Sequence, residues 1–141
     1  MGDGMDRPLS EDVVIRLGGW DRRFVRALLI ERRGKYALVL VDGNGDEAEL
    51  ELEYWHDRGE SWHCEASSGF SALSSLASAD AWTTGDHVCA VGRGAPGSVV
   101  RITYGGRAYS RQANEFGVWG FFHEADSPRG GELPLMAADS G

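Results

Sequence analysis

Apolar and polar side chains alternate along most of this chain with the period of β-strands. In residues 47–54 glutamate occupies every odd position, and alanine, leucine or tyrosine occupies every even one. Because successive side chains of a strand point to opposite faces, this segment predicts a strand with one buried and one acidic face. The preceding KYALVLVD, residues 35–42, is apolar on both faces and predicts a central strand covered on both sides.

Short alternating segments separated by glycine-rich turns occupy much of the remaining sequence. VVIRLGGW, residues 13–20, predicts a strand that ends at Gly18-Gly19. Residues 21–33 are open to two interpretations: Asp21 and Gly34 suit the ends of a helix, but early arginines would oppose its dipole, and we prefer a strand. Further strands are predicted at residues 87–91, 98–104, 107–112 and 118–125, with a hairpin at Gly105-Gly106.

The turn after the acidic strand predicts how that strand pairs with the next one. A three-residue loop at residues 57–59, with Gly59 in the left-handed conformation, places the apolar residues of both strands on one face. A two-residue loop would instead set Cys64 against Glu53, so we prefer the longer loop. The pairs expected from it are Tyr54 with Trp62, Leu52 with Cys64, and Leu50 with Ala66.

The remaining segments are predicted to lack regular structure. Residues 1–11 form a flexible N-terminal lead and residues 127–141 a disordered C-terminal tail, on either side of a single β domain of residues 12–126. The serine-rich stretch 67–87 predicts a long loop, with room for a short helix over Phe70, Leu73 and Leu76.

This organisation predicts an all-β fold. About 7–9 short strands, with turn residues between them and one long serine-rich loop, are typical of an antiparallel β-sandwich or flattened barrel. The segment GSVVRITYGGRAYSRQANEFGVWGFFHEAD, residues 97–126, is similar in composition and turn placement to strands of small uncharacterised actinobacterial β proteins. That resemblance carries over no functional residue.

Charge and composition restrict the classes of partner. With 14 basic and 22 acidic residues, the chain has a net charge of −8, which argues against nucleic acids and membrane surfaces and suits a basic protein partner. The acidic N-terminus has no hydrophobic run, and the longest apolar run, residues 37–41, is too short to cross a bilayer. We therefore expect a cytoplasmic protein whose two cysteines, Cys64 and Cys89, are reduced.

Three motifs resemble a calcium, a dinucleotide or a zinc site, but each lacks a feature that such a site requires. DGNGDE, residues 42–47, has the acidic spacing of a calcium loop, but Glu47 stands where such a loop requires glycine. GRGAPG, residues 92–97, precedes a strand-like segment, whereas a dinucleotide site requires a helix. Cys64, His87 and Cys89 lack the close spacing of zinc ligands. We therefore expect no metal, no cofactor and no catalytic residue, and an enzyme is the less favoured hypothesis.

Three hypotheses about function remain. The favoured one is a non-enzymatic protein-binding module, similar to an inhibitor or immunity protein, that recognises a basic protein through the acidic strand face. The first alternative is an enzyme or small-ligand protein with a pocket beneath the 67–87 loop, lined by Trp82 and His87. The second is an assembly subunit that pairs through sheet edges. The residues predicted to form the partner-binding face are Glu49, Glu51, Glu53, Trp55, His63 and Glu65.

Overall fold

The computed structural model describes residues 7–70, 72, 80–84, 87–124 and 136–139. This part of the chain contains one helix and ten strands, and every strand pair is antiparallel. The predicted all-β fold is therefore confirmed, with ten strands instead of about 7–9. The elements are α1 (Glu11–Gly18), β1 (Arg26–Arg33), β2 (Tyr36–Asp42), β3 (Leu50–Asp57), β4 (Trp62–Phe70), β5 (Asp80–Thr84), β6 (His87–Arg93), β7 (Val99–Tyr104), β8 (Arg107–Gln112), β9 (Val118–Glu124) and β10 (Met136–Asp139).

The chain divides into two compact units, Met1–Ser74 and Ser75–Gly141. The first contains α1 and a four-stranded sheet in the order β1-β2-β3-β4, and the second contains two three-stranded sheets in the orders β5-β6-β9 and β10-β7-β8. The single domain expected over residues 12–126 stays a prediction. No helix in the described residues has the length and apolar character needed to cross a membrane.

The core of the first unit lies between α1 and one face of its sheet. Val14 and Ile15 of α1 pack with Val39 and Val41 of β2 and with Trp55 of β3. All five side chains are buried, and burying side chains of this size stabilises the fold by roughly 1.5–3 kcal/mol each. The opposite face of β2 is buried as well, so the prediction of a central strand covered on both sides is confirmed.

The predicted strand at residues 13–20 is wrong, because this segment forms α1 and its C-terminal cap. The Ser10 side chain accepts a hydrogen bond from the Val13 N–H, and two acidic residues in the first turn complement the helix dipole. Gly19 ends the helix in the left-handed conformation, with φ of 75°. Within the predicted N-terminal lead, Leu9 is buried and Arg7 pairs with Asp57.

The ambiguous segment 21–33 forms a turn followed by a strand. The Val25 N–H donates to the Asp21 carbonyl oxygen across 3.0 Å, and β1 then begins at Arg26. The preference for a strand is therefore confirmed from residue 26 onward. Before it, Phe24 lies in the turn and is exposed.

The register predicted between β3 and β4 is wrong. The loop spans residues 58–61, so Asp57 pairs with Trp62, and a β-bulge between Tyr54 and Trp55 shifts the register again. The buried carboxylate of Asp57 explains the longer loop, since it accepts hydrogen bonds from the Gly59 N–H and the Arg7 guanidinium. The observed pairs are Trp55 with Cys64, Tyr54 with Ala66, Leu52 with Ser68, and Leu50 with Phe70.

The second unit builds its core between two sheets. Val88, Trp119 and Phe121 from one sheet pack with Ile102 and Tyr104 from the other. The four strands predicted in this region match β6 to β9 closely, and the hairpin at Gly105-Gly106 is confirmed. Both glycines have positive φ, as a tight turn between twisted strands requires.

Two segments predicted to be irregular contain strands instead. Within the expected 67–87 loop, β4 continues to Phe70 and β5 occupies Asp80–Thr84. Within the expected disordered tail, Met136–Asp139 forms β10 and pairs with β7. The expected helix positions Leu73 and Leu76 lie outside the described residues, as do residues 127–135, 140 and 141 of the tail.

Candidate functional site

A cleft with a volume of about 750 Å³ opens in the first unit beside the end of α1. Its walls come from the chain after α1, from the β2–β3 connection, from the start of β3 and from β4. Three acidic residues belong to the lining, and no arginine or lysine does. The residues that define this Trp20 cleft are Gly19, Trp20, Asp21, Gly43, Asn44, Ala48, Glu49, Leu50, Glu51 and Gly69.

Trp20 forms the aromatic wall and is placed by the end of the helix. Its backbone N–H donates to the Ile15 carbonyl oxygen across 3.1 Å, which turns the chain back over the sheet. The indole lies directly against two glycines: a Cβ at Gly18 would come within 2.8 Å of the ring, and a Cβ at Gly43 within 2.9 Å. Both positions therefore require glycine for the ring to stay where it is.

The acidic turn motif DGNGD shapes the opposite rim of the cleft. The Asp42 carboxylate is fully buried and accepts hydrogen bonds from the Gly45 N–H at 3.0 Å and the Glu47 N–H at 2.8 Å. Gly45 has positive φ, and a Cβ there would collide with the Phe24 carbonyl oxygen. The β2–β3 hairpin is thus as predicted, but its connection spans residues 43–49 and is closed by Asp42.

Glu53 is a buried carboxylate directly behind the aromatic wall. It is 4 % exposed, and its two oxygens accept hydrogen bonds from the Trp55 indole N–H at 2.9 Å and the Trp20 indole N–H at 3.3 Å. Burial raises the pKa of Glu53 above its ordinary value, and the charge of Glu51 adds to that effect. The two indole hydrogen bonds act in the opposite direction and lower the pKa.

The three acidic residues of the lining differ in their hydrogen bonds and in their exposure to solvent. Asp21 accepts hydrogen bonds from the backbone N–H and the guanidinium of Arg23, which lower its pKa and balance its charge. Glu49 is exposed and Glu51 is half-buried. Glu51 stands opposite Gly69 on β4, and the missing side chain of Gly69 leaves space beside the carboxylate.

The structure does not bring the six residues of the predicted partner-binding face together on one exposed surface. Trp55 is 0 % exposed and Glu53 is buried, so the expectation that both face solvent is wrong. Both lie under α1. The helix therefore covers the acidic face of β3, which was expected to meet solvent. His63 and Glu65 are on the surface of β4, and Glu65 forms an ion pair with Arg58 at 2.7 Å. Two of the six predicted residues, Glu49 and Glu51, line the cleft.

Trp20, Asp21 and Asn44 line the cleft but were not predicted as site residues. Trp20 had been assigned to the end of a strand. The signal that identifies its position is the helix start at Ser10-Glu11-Asp12 together with the helix end at Gly18-Gly19. These two caps together place Trp20 just after the end of a helix.

The alternative pocket rests largely on residues outside the described chain. His87 is buried, 4 % exposed, and stacks on Phe122 with ring centroids 4.6 Å apart. Trp82 lies on β5 opposite Cys89, while its side chain and residues 73–79, 85 and 86 of the predicted overlying loop are outside the described part.

Cys64 and Cys89 are the two cysteines among the candidate metal ligands of the sequence. Burial raises the pKa of the Cys89 thiol to about 12, and burial together with the charge of Glu53 raises that of Cys64 to about 11. Both thiols are therefore protonated at neutral pH and poor as ligands or nucleophiles. Within the described residues no group of three or more His, Cys, Asp and Glu side chains is arranged to hold a metal ion.

The chemistry of the Trp20 cleft suits an organic cation. An indole beside carboxylates attracts ammonium and guanidinium groups, through the ring quadrupole and through direct ion pairing. No protein family, curated protein sequence or solved structure matches the chain. The candidate function therefore rests on the residues and geometry of this cleft.

Proposed function

We propose that this protein is a non-enzymatic binding module that recognises a basic partner protein through the Trp20 cleft. The observation that supports it is the cleft lining, which combines the Trp20 indole with Glu49 and Glu51 and includes no basic side chain. An arginine or lysine of the partner would enter the cleft, with its charge facing these two carboxylates. The net charge of −8 would attract a basic surface from a distance.

A single anchoring side chain is consistent with the size of the cleft. A volume of about 750 Å³ lies in the range of small-ligand sites, so the cleft has room for one long side chain together with neighbouring residues of the partner. Arginine is enriched among the residues that dominate binding energies, especially where an aromatic ring and a carboxylate meet it together. A cation above an aromatic ring contributes roughly 0.5–2 kcal/mol, depending on how far it is desolvated.

Titration with an arginine-bearing peptide tests this function. The matched probe is the same peptide with citrulline, which keeps the shape and removes the charge. The arginine peptide should shift the indole N–H resonance of Trp20, and the citrulline peptide should not. Glu51→Gln should weaken arginine binding about tenfold, the change expected for losing one charge-assisted contact of roughly 1.4 kcal/mol.

The control variant is Glu60→Gln, which makes the same change in net charge at an exposed residue outside the cleft lining. Binding of the arginine peptide should be almost unchanged in this variant. Equal weakening by Glu60→Gln and Glu51→Gln would show a general charge effect and would contradict a specific site in the cleft.

We also propose a cytoplasmic location, supported by two free cysteines, Cys64 and Cys89. The two alternatives stated above, a pocket beneath residues 67–87 and assembly through sheet edges, stay predictions.

A further inference from the structure

Glu53 connects the core of the first unit to the wall of the cleft. One of its oxygens accepts a hydrogen bond from Trp55, which is buried in the core, and the other from Trp20, which lines the cleft. The bond to Trp55 is 2.9 Å long and the bond to Trp20 is 3.3 Å long. A single buried carboxylate thus holds an internal and a cleft-lining indole at once.

The surroundings of Glu53 leave its charge poorly compensated. On its own strand, Glu51 adds a second negative charge. The β2 residue opposite it is Val39, and α1 brings Val14 and Ile15 to the same core. From β4, Cys64 is close enough for the charge of Glu53 to raise the pKa of its thiol. Among the described groups that act on Glu53, the two indole N–H donors are those that favour its charged form.

We propose that Glu53 is a positioning residue of the cleft: its ionised carboxylate fixes the Trp20 indole and makes the cleft selective for organic cations such as guanidinium. This inference rests on the proposed function, since it concerns the same site. It assigns a role in the site to Glu53, a buried residue that does not line the cleft, and it names organic cations as the class of ligand that the site selects.

Ionisation matters because it determines how many indoles the carboxyl group can hold. A carboxylate has two acceptor oxygens, whereas a protonated carboxyl group or an amide has one carbonyl oxygen and one donor group. The shorter bond, to buried Trp55, is the one that a neutral group would keep. The longer bond, to Trp20, would weaken, and the ring would lose its only described polar tether beside Gly18 and Gly43.

The direction of the pH dependence follows from this geometry. A bound cation favours the ionised carboxylate, so cation affinity should rise as pH rises through the pKa of Glu53. Burial places that pKa above the ordinary value of 4.5. Below the transition the cleft should lose both its buried charge and its fixed indole.

Indole NMR of the full-length chain, followed from about pH 4 to about pH 8, tests the coupling without any ligand. The Trp20 resonance is assigned with Trp20→Phe. The Trp20 and Trp55 indole N–H resonances should shift together, with one midpoint above 4.5. Glu51→Gln should lower that midpoint by removing a repulsive charge, and E53Q should abolish the transition.

A second readout keeps the test decisive if E53Q does not fold. In Trp20→Phe the Trp55 resonance should still titrate, with a midpoint above that of the unmodified protein, because one stabilising hydrogen bond to the carboxylate is gone. A Trp20 resonance that does not titrate, or a midpoint unchanged by both Glu51→Gln and Trp20→Phe, would overturn the proposal.

Titration with the arginine peptide across the same pH range separates this inference from the proposed function. Affinity should rise through the indole midpoint and become weaker and independent of that transition in E53Q. Peptide binding without an indole transition would refute the role of Glu53 and leave the proposed function standing. An indole transition without peptide binding at any pH would refute cation selection and the proposed function, and would leave Glu53 as the residue that positions Trp20.

Discussion

At the scale of single residues, the cleft depends on small side chains as much as on charged ones. Gly18 and Gly43 leave room for the Trp20 ring, and Gly69 leaves room beside Glu51. The sequence does not reveal these roles, because Gly43 is far from Trp20, and Gly69 far from Glu51, along the chain. Their role becomes visible when the fold brings them to Trp20 and Glu51.

Gly43→Ala should therefore displace the Trp20 indole. The added Cβ would lie 2.9 Å from the ring, and overpacking of this kind costs roughly 1–3 kcal/mol of the free energy of unfolding. The matched control is Gly69→Ala, where a Cβ meets nothing within 4 Å and φ is not positive. Urea denaturation should show a loss for Gly43→Ala alone, accompanied by a change in the Trp20 indole resonance. Equal stability of the two variants would contradict the close packing of Trp20.

At the scale of elements, one misassigned segment accounts for most of the error in the predicted site. The strong alternation predicts the buried apolar face of β3 correctly from Leu50 onward, since Leu50, Leu52 and Tyr54 are all buried. Ala48, expected on the same face, is exposed in the connection before β3. The acidic face of β3 was expected to meet solvent because it carries glutamates, and the strand assigned to residues 13–20 offered no helix to cover it. With α1 in that place, Glu53 and Trp55 are covered and Trp20 becomes the cleft wall. Local alternation cannot reveal this, because the covering helix comes from a distant part of the sequence.

The β3–β4 turn shows a second way in which distant residues override a local pattern. Asp57 holds the loop through the Gly59 N–H and also binds Arg7, which lies fifty positions earlier in the chain. The Arg7 guanidinium additionally donates to the Gly59 carbonyl oxygen at 2.8 Å. The N-terminal segment and the turn therefore stabilise each other, which no turn-propensity argument includes.

Asp57→Asn should destabilise the first unit by roughly 1–3 kcal/mol, since it removes the charge from hydrogen bonds at a buried site. Burial raises the pKa of Asp57, but the Gly59 N–H and the charges of Arg7 and Lys35 outweigh it and lower the pKa below 3.8. Because the folded-state pKa is lowered, this stabilisation is present above pH 3.8 and is lost as pH falls through the folded-state value.

Asp12→Asn is the control for Asp57→Asn. Asp12 also pairs with an arginine, Arg22, but both side chains are about 60 % exposed. An exposed ion pair contributes about 0–1 kcal/mol, so thermal unfolding near neutral pH should separate the two variants clearly. A similar small effect in both would argue that the Asp57 contacts do not hold the turn.

At the scale of the whole molecule, the charge is concentrated in the unit that carries the cleft. Residues 1–74 contain fifteen acidic and nine basic residues, a net charge of −6 out of the −8 of the chain. From the sequence, this charge and the acidic face of one strand both favour a basic protein partner. In the structure several acidic residues serve the fold instead: Asp42 closes a loop, Asp57 closes a turn, and Glu53 holds two indoles.

The distinction between overall charge and local site predicts separate effects on the two rate constants of binding. Overall charge acts at long range and is screened beyond about 10 Å at 0.1 M salt, so it governs association. Contacts inside the cleft govern dissociation.

Raising the salt concentration should therefore mainly slow association of the arginine peptide, and Glu60→Gln should do the same to a small extent. Glu51→Gln should speed dissociation about tenfold. Stopped-flow measurements at several salt concentrations would resolve both rates, and a Glu51→Gln effect confined to association would place the peptide outside the cleft.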